Sequence, residues 1–177
     1  MPPNILAISG STRKISVNNA ILHHLQTNTP NLTIYEDLTS LPYFNPDLTD
    51  PENLPPAVQA FLARIERADG VILCTPEYVF SLPGILKNAI EWCVATTVFQ
   101  DKPLAMIVAS LSGQKAYESL DLVMSTVGAR ATPDTKLLLA GAYSKLDKAT
   151  HTLDSHTINL LDKLMNSFQD LLAATPR

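Results

Sequence analysis

Residues 5–18 read Ile5-Leu6-Ala7-Ile8-Ser9-Gly10-Ser11-Thr12-Arg13-Lys14-Ile15-Ser16-Val17-Asn18. A short continuous apolar run ended by Ser-Gly is the pattern of a strand buried on both faces. Just beyond it, Ile21, Leu22 and Leu25 recur at helical spacing within about residues 17–26. The same alternation then repeats along the chain. Strand patterns fall at 32–35, 71–74, 104–109 and 136–140, and helical spacing at 57–68, 82–94, 117–127 and 153–173. Five short apolar strands alternating with five helices predict an α/β chain built on a doubly wound parallel sheet. In such a sheet ligands bind beyond the carboxyl ends of the strands, where strand order reverses. The loops after the first, third and fourth strands are therefore the informative ones.

Several smaller expectations attach to this pattern. Five prolines between Leu38 and Pro56 predict an ordered surface excursion without a regular helix. Asp69-Gly70 reads as the close of the second helix, with Gly70 as its C-terminal cap. Pro83 sits in the first turn of the third helix, and Gly10 lets the chain turn out of the first strand. Trp92, the only tryptophan, is most simply a core residue.

Composition excludes several classes. The chain has 177 residues, 46% of them hydrophobic, which suits one domain over residues 1–177 with a sizeable core. Only 6 glycines occur against 13 prolines, and none form G-x-G-x-x-G or G-x-x-x-x-G-K-[ST]. A standard dinucleotide-binding fold and a P-loop are thereby disfavoured, and any phosphate cradle must be built mostly from hydroxyls and amides. Thirteen basic against 17 acidic residues, with no basic stripe, disfavour a nucleic-acid partner. Apolar runs are too short for a membrane span. No basic region precedes a long apolar stretch at the N-terminus, so a cytoplasmic location is expected. Cys74 and Cys93 read as buried free thiols. His23-His24 and His151 with His156 have the wrong spacing for a metal site, and G-x-S-x-G is absent, which disfavours a hydrolase.

The first loop places four hydroxyls, an Asn and two cations at a helix N-terminus, where a phosphate would meet backbone amides and the positive end of the helix dipole. Read as plain structure, Ser16 is simply the N-cap. The loop Thr75-Pro76-Glu77-Tyr78-Val79-Phe80-Ser81 carries two aromatics behind a proline expected to keep the backbone extended. It reads either as a wall for a planar ring or as a rigid connection. Ala109-Ser110-Leu111-Ser112-Gly113 reads either as a short polar loop able to approach a ligand or as an ordinary helix entry with Ser112 as its cap.

Gly10-Ser11-Thr12-Arg13-Lys14 with Ser16 and Asn18 resembles the phosphate loop of the NADPH-dependent FMN reductase family, flavodoxin-like quinone, azo-dye and chromate reductases. Residues 68–73, Pro76-Glu77-Tyr78, and the run from Ser81 to Trp92 look like that family's second and more specific signature, and residues 41–47 are similar to its proline-rich connector. The resemblance runs from about residue 4 to 140. It implies a flavodoxin-like sheet of strand order 2-1-3-4-5 holding FMN non-covalently. NADPH or NADH would be the co-substrate, and a quinone, flavin, azo compound or metal oxyanion the acceptor. Ser11, Thr12, Arg13, Ser16 and Asn18 would serve the phosphate. Pro76, Glu77 and Tyr78, with the Val79 backbone amide, would line the ring, and Ser110, Ser112 and Gly113 its other side. No catalytic side chain is implied, because the flavin carries the chemistry. A homodimer or homotetramer is implied, with the helix of Lys87, Asn88 and Trp92 in or near the contact. The family commonly has Gly at Ile15, Asn at Val79 and a double Gly after the fourth strand's serine, so this chain departs there. A flavodoxin-type electron carrier and an FMN-binding module with little turnover are the alternative readings.

Overall fold

A computed structural model describes residues 2–13, 15–147, 150 and 152–175. Lys14 and His151 lie outside the described residues. Ten principal elements alternate: β1 (Ile5–Ser9), α1 (Val17–Asn28), β2 (Leu32–Tyr35), α2 (Pro56–Arg67), β3 (Gly70–Thr75), α3 (Gly84–Glu91), β4 (Leu104–Ala109), α4 (Gln114–Thr126), β5 (Lys136–Leu139) and α5 (Ser155–Ala173). The sheet is parallel throughout, in the order β2-β1-β3-β4-β5. Strand order reverses between β1 and β3, whose ends align with Ser9 opposite Cys74.

The residues account for this layering. Every residue of β3 and β4 is buried, as continuous Val/Ile/Leu-type runs require when helices cover both faces. Alternate strand residues serve two cores. Leu6, Ile8, Val71, Leu73, Met106 and Val108 pack with α2, α3 and α4. Ile5, Ala7, Ile72, Cys74, Ala105 and Ile107 pack with α1 and α5.

Element boundaries differ from the sequence pattern where caps decide them. Asp154 accepts from the Thr157 amide at 2.6 Å, so α5 starts at Ser155 rather than 153. Pro83 is the N-cap of α3 rather than a first-turn residue, and that helix ends at Glu91 as the chain tightens into i→i−3 bonds at Cys93 and Val94. Gly70 does not cap α2. It opens β3, and a Cβ there would lie 2.7 Å from Leu172 and 2.8 Å from Phe168. Gly10 stands at the bend that ends β1, as expected, and contact also requires a glycine there, since a Cβ would collide with Thr75 Oγ1.

The proline-rich excursion is ordered, as expected. The Trp92 indole N–H and Asn88 Nδ2 both donate to the Pro42 carbonyl, and Asn88 Oδ1 accepts from the Phe44 amide. Phe44 meets Trp92 edge to face at 5.2 Å. Trp92 is only 1% exposed, so it belongs to the core and cannot form an outer contact surface. On that helix Lys87 and Glu91 remain at the surface as an i,i+4 ion pair.

Candidate functional site

A cleft of about 380 Å³ opens where strand order reverses, at the carboxyl ends of β1, β3 and β4. That volume lies in the ~300–1,000 Å³ range of small-molecule sites. Ser11, Arg13, Ser16, Asn18, Pro76 and Tyr78 all border it. Loops far apart in sequence are therefore brought together as the first and third strand-end readings required.

The β1–α1 loop is held by its own short side chains. Ser11 N donates to Ser9 Oγ, Ser9 Oγ donates to Asn19 Oδ1, and Asn19 Nδ2 donates to the Arg13 carbonyl. Ser16 caps α1, its Oγ accepting from the Asn19 amide at 3.1 Å. Both readings of Ser16 thus coexist, because a capping hydroxyl retains its own proton and a free lone pair. Val17 and Asn18 occupy the first turn, where helix amides lack intrahelical acceptors. The exposed Arg13 guanidinium has no ion-pair partner among the described residues. Thr12 is exposed and borders a neighbouring cavity rather than the cleft.

Asn18 is placed differently from a free phosphate ligand. It is 4% exposed, its Nδ2 donates to the Ala109 carbonyl at 3.2 Å, and its Oδ1 accepts from the Cys74 thiol at 3.4 Å.

The β3–α3 loop departs from extended backbone. Val79 and Phe80 both have positive φ, 51° and 55°, and Tyr78 and Ser81 exchange backbone hydrogen bonds of 3.0 Å across them. Val79 is 95% and Phe80 78% exposed. Neither borders the cleft, so Tyr78 and Pro76 form its wall. Glu77 turns its carboxylate away to α4, where Oε2 accepts from the amides of Lys115 and Ala116.

That contact replaces the expected Ser112 cap. The N-cap position of α4 is Gly113, at φ +85°, with no capping side chain of its own. Ser112 is exposed, Ser110 is buried, and neither borders the cleft; nor does Gly113. The β4 loop is stitched instead to the segment after β5, with Gly141 N donating to Leu111 O and Ala142 N to Ser110 O.

That last segment supplies site residues missed in the sequence reading. Ala142, Tyr143 and Leu146 border the cleft, with Tyr143 half exposed. Gly141, at φ +65° just after β5, was the available signal, since the rule of carboxyl-end loops applies to that strand too.

A larger cavity, about 900 Å³, lies at the opposite ends of the strands, among Arg67, Asp69, Lys102 and Gln169. Its Lys102 Nζ donates to the Glu66 and Ala68 carbonyls, and burial lowers the lysine pKa. This cation serves the end of α2, and the strand-end loops are remote from it. Among the described residues no group of three His, Cys, Asp or Glu could hold a metal.

The donor set of the strand-end cleft suits FMN. Hydroxyls, helix amides and Arg13 supply an anion end, and Pro76 with two tyrosines supplies a broad apolar wall. Residues 3–144 match the family described as NADPH-dependent FMN reductase. An NADH:(hydroxy)cinnamate reductase subunit of Vibrio ruber is 30% identical over 93% of this chain and 85% of its own length. An NAD(P)H-dependent FMN reductase of Pseudomonas aeruginosa is 29% identical over 93% of this chain and 92% of its own. Among solved structures, the flavoenzyme NAD(P)H:(acceptor) oxidoreductase FerB of Paracoccus denitrificans superposes with a TM-score of 0.74 at 26% identity, over 97% of both chains.

Proposed function

This chain belongs to the NADPH-dependent FMN reductase family, and from that premise we propose that its strand-end cleft holds FMN between the β1–α1, β3–α3 and β5–α5 segments. The protein is an NAD(P)H-dependent flavin oxidoreductase of the FMN and quinone reductase type. The observation that carries the site assignment is the convergence of Ser11, Arg13, Ser16, Pro76 and Tyr78 on one cleft at the strand-order reversal.

Bound FMN would supply the redox chemistry, two-electron transfer between a nicotinamide and a small-molecule acceptor. The chain's own groups bind and orient it. Ser11, Ser16 and the first-turn amides of α1 would donate to the phosphate, and Arg13 would add a charge-assisted contact. Pro76 and Tyr78 would line the ring, with Tyr143 beside it from the β5 end of the cleft. The Val79 amide stands on a turn that the Tyr78–Ser81 bonds hold rigid. Ser110 acts through its backbone, which with that of Leu111 holds the segment after β5, and Ser112 and Gly113 follow in the same loop. Glu77 steadies the ring loop by anchoring it to α4. The acceptor in this reading is a small molecule such as a quinone.

The reading extends to assembly and location. Residues 1–177 form one FMN-binding domain, supported by a single sheet that organises both cores. A homodimer or homotetramer is supported by the exposed apolar side chains Ile15, Phe80 and Leu111 on the strand-end loops. Among the described residues no helix is long and apolar enough to cross a membrane. A cytoplasmic location is part of the proposal, as is the lack of a nucleic-acid partner, which 13 basic against 17 acidic residues support.

The test is spectroscopic. Purified protein should be yellow, or become so with FMN. It should bleach under anaerobic NADPH or NADH and regain colour on adding a quinone. Protein that takes up no FMN overturns the assignment. FMN that binds but is reduced by neither nicotinamide favours the binding module, a reading motivated by Val79 standing without a side-chain amide.

A further inference from the structure

Asn18 occupies the second position of α1, yet its side chain is directed into the sheet. The amide nitrogen reaches the last residue of β4, and the amide oxygen receives the thiol of Cys74, next to last in β3. Cys74 Sγ also lies 3.7 Å from the Asn18 backbone carbonyl. Cys74 itself is fully buried, with no path to a ligand in the cleft, and burial keeps the thiol protonated and able to donate. One buried side chain therefore joins three separate walls of the cleft: the N-terminus of α1 and the ends of β3 and β4.

A helix amide binds an anion well only when it points at it, because hydrogen bonds weaken steeply off axis. The first turn of α1 carries amides that no intrahelical carbonyl can accept. Ser16 secures this turn from the loop side, through the Asn19 amide. Asn18 secures it from the sheet side. The order of the elements makes this contact long-range, with Asn18 and Ala109 91 positions apart.

We propose that Asn18 is a positioning residue: held by the Cys74 thiol and the Ala109 carbonyl, it aims the first-turn amides of α1 at the phosphate of bound FMN. The proposal rests on the cleft being the FMN site. It assigns Cys74 a part in cofactor affinity although that residue touches no cofactor.

The experiment is a titration of apoprotein with FMN and with riboflavin, for the wild type, Cys74→Ala, Cys74→Ser, Asn18→Ala and the double variant Asn18→Ala/Cys74→Ala. Thermal midpoints and the ³¹P resonance of bound FMN are recorded alongside. Loss of one positioning hydrogen bond should weaken FMN about 3- to 10-fold in Cys74→Ala. Riboflavin, which lacks the phosphate, should bind this variant as it binds the wild type. Cys74→Ser restores a donor and should recover FMN affinity, and the double variant should bind no more weakly than Asn18→Ala alone. The ³¹P resonance of FMN should move in Cys74→Ala. Wild-type affinity and an unmoved resonance in Cys74→Ala overturn the proposal, including the case where only its thermal midpoint falls. So does a loss in Asn18→Ala with full additivity, which marks Asn18 as a direct ligand through its second Nδ2 hydrogen. Should Cys74→Ala not fold, the Cys74→Ser resonance and the Asn18→Ala riboflavin control decide alone: equal weakening of both flavins rejects phosphate-directed positioning. Wild-type protein that binds neither flavin sinks the FMN reading itself, a result distinct from all of these.

Discussion

The Glu77 carboxylate meets the Ala116 amide at 3.0 Å across 39 positions of sequence. With the Lys115 amide at 2.9 Å, this carboxylate caps a helix that has only a glycine at its own N-cap. A negative charge also suits the positive end of the helix. Glu77→Ala should therefore destabilise the protein by about 1–2 kcal/mol, a fall of roughly 2–8 °C in the thermal midpoint for a chain of this length. Glu77→Gln keeps an acceptor without the charge and should fall between. Scanning calorimetry decides; an unchanged midpoint in Glu77→Ala removes the capping role.

Val79 stands in the left-handed region with its side chain in solvent. A β-branched residue is strained there by about 1 kcal/mol or more, whereas Asn is tolerated. Val79→Asn gives up almost no packing, so it should raise the thermal midpoint by roughly 1–3 °C. A lowered midpoint would show that the turn needs valine for a reason other than conformation.

Gly10 has no room for a methyl group beside Thr75 and Leu86. Gly10→Ala should cost about 1–3 kcal/mol through overpacking. Denaturant midpoints at constant slope provide the measurement, and stability equal to the wild type contradicts the close approach.

Tyr143 is expected to contact bound flavin from the β5 side. Tyr143→Ala should weaken FMN about 3- to 10-fold and brighten the fluorescence of the bound flavin, since a stacked phenol is lost. An unaltered dissociation constant together with unaltered fluorescence would place Tyr143 outside the contact.

Both thiols are buried, and burial alone pushes Cys93 up to about 12 and Cys74 higher still. In the unfolded chain they titrate near ~8.5. Their neutral burial therefore favours the fold fully below that value, and the benefit declines as pH rises from there toward the folded values. Stability to denaturant should fall above about pH 8.5, and Cys93→Ala should flatten that alkaline limb. In native protein at pH 8 neither thiol should react with an aromatic disulfide, and both should after unfolding. Rapid labelling of the native chain would contradict the burial.

How far the sequence was legible varied with the range of the interactions. The strands were readable because residues buried on both faces leave an uninterrupted apolar run, as at Val71–Ile72–Leu73–Cys74. The hydroxyl-rich loop before Val17 was readable because its cap, Ser16, lies in the same few residues as its helix. The third loop was misread because the cap of α4 comes from Glu77, on another element. The place of Gly70 in β3, and the close contact at Gly10, are not legible locally for the same cause, since what excludes a side chain there belongs to Thr75, Phe168 and Leu172.

By itself, then, the sequence determined the alternation of strands and helices, the absence of glycine-rich nucleotide loops and the chemistry carried at the end of β1. Those properties depend on neighbours within one or two turns of chain. Only the tertiary structure decided that Asn18 is directed to Cys74 and Ala109, that Glu77 faces α4, and that Tyr143 joins the cleft. The parallel sheet is the physical reason. It gathers the carboxyl ends of strands that are distant in sequence, so each loop takes its hydrogen-bond partners from loops that local pattern cannot identify.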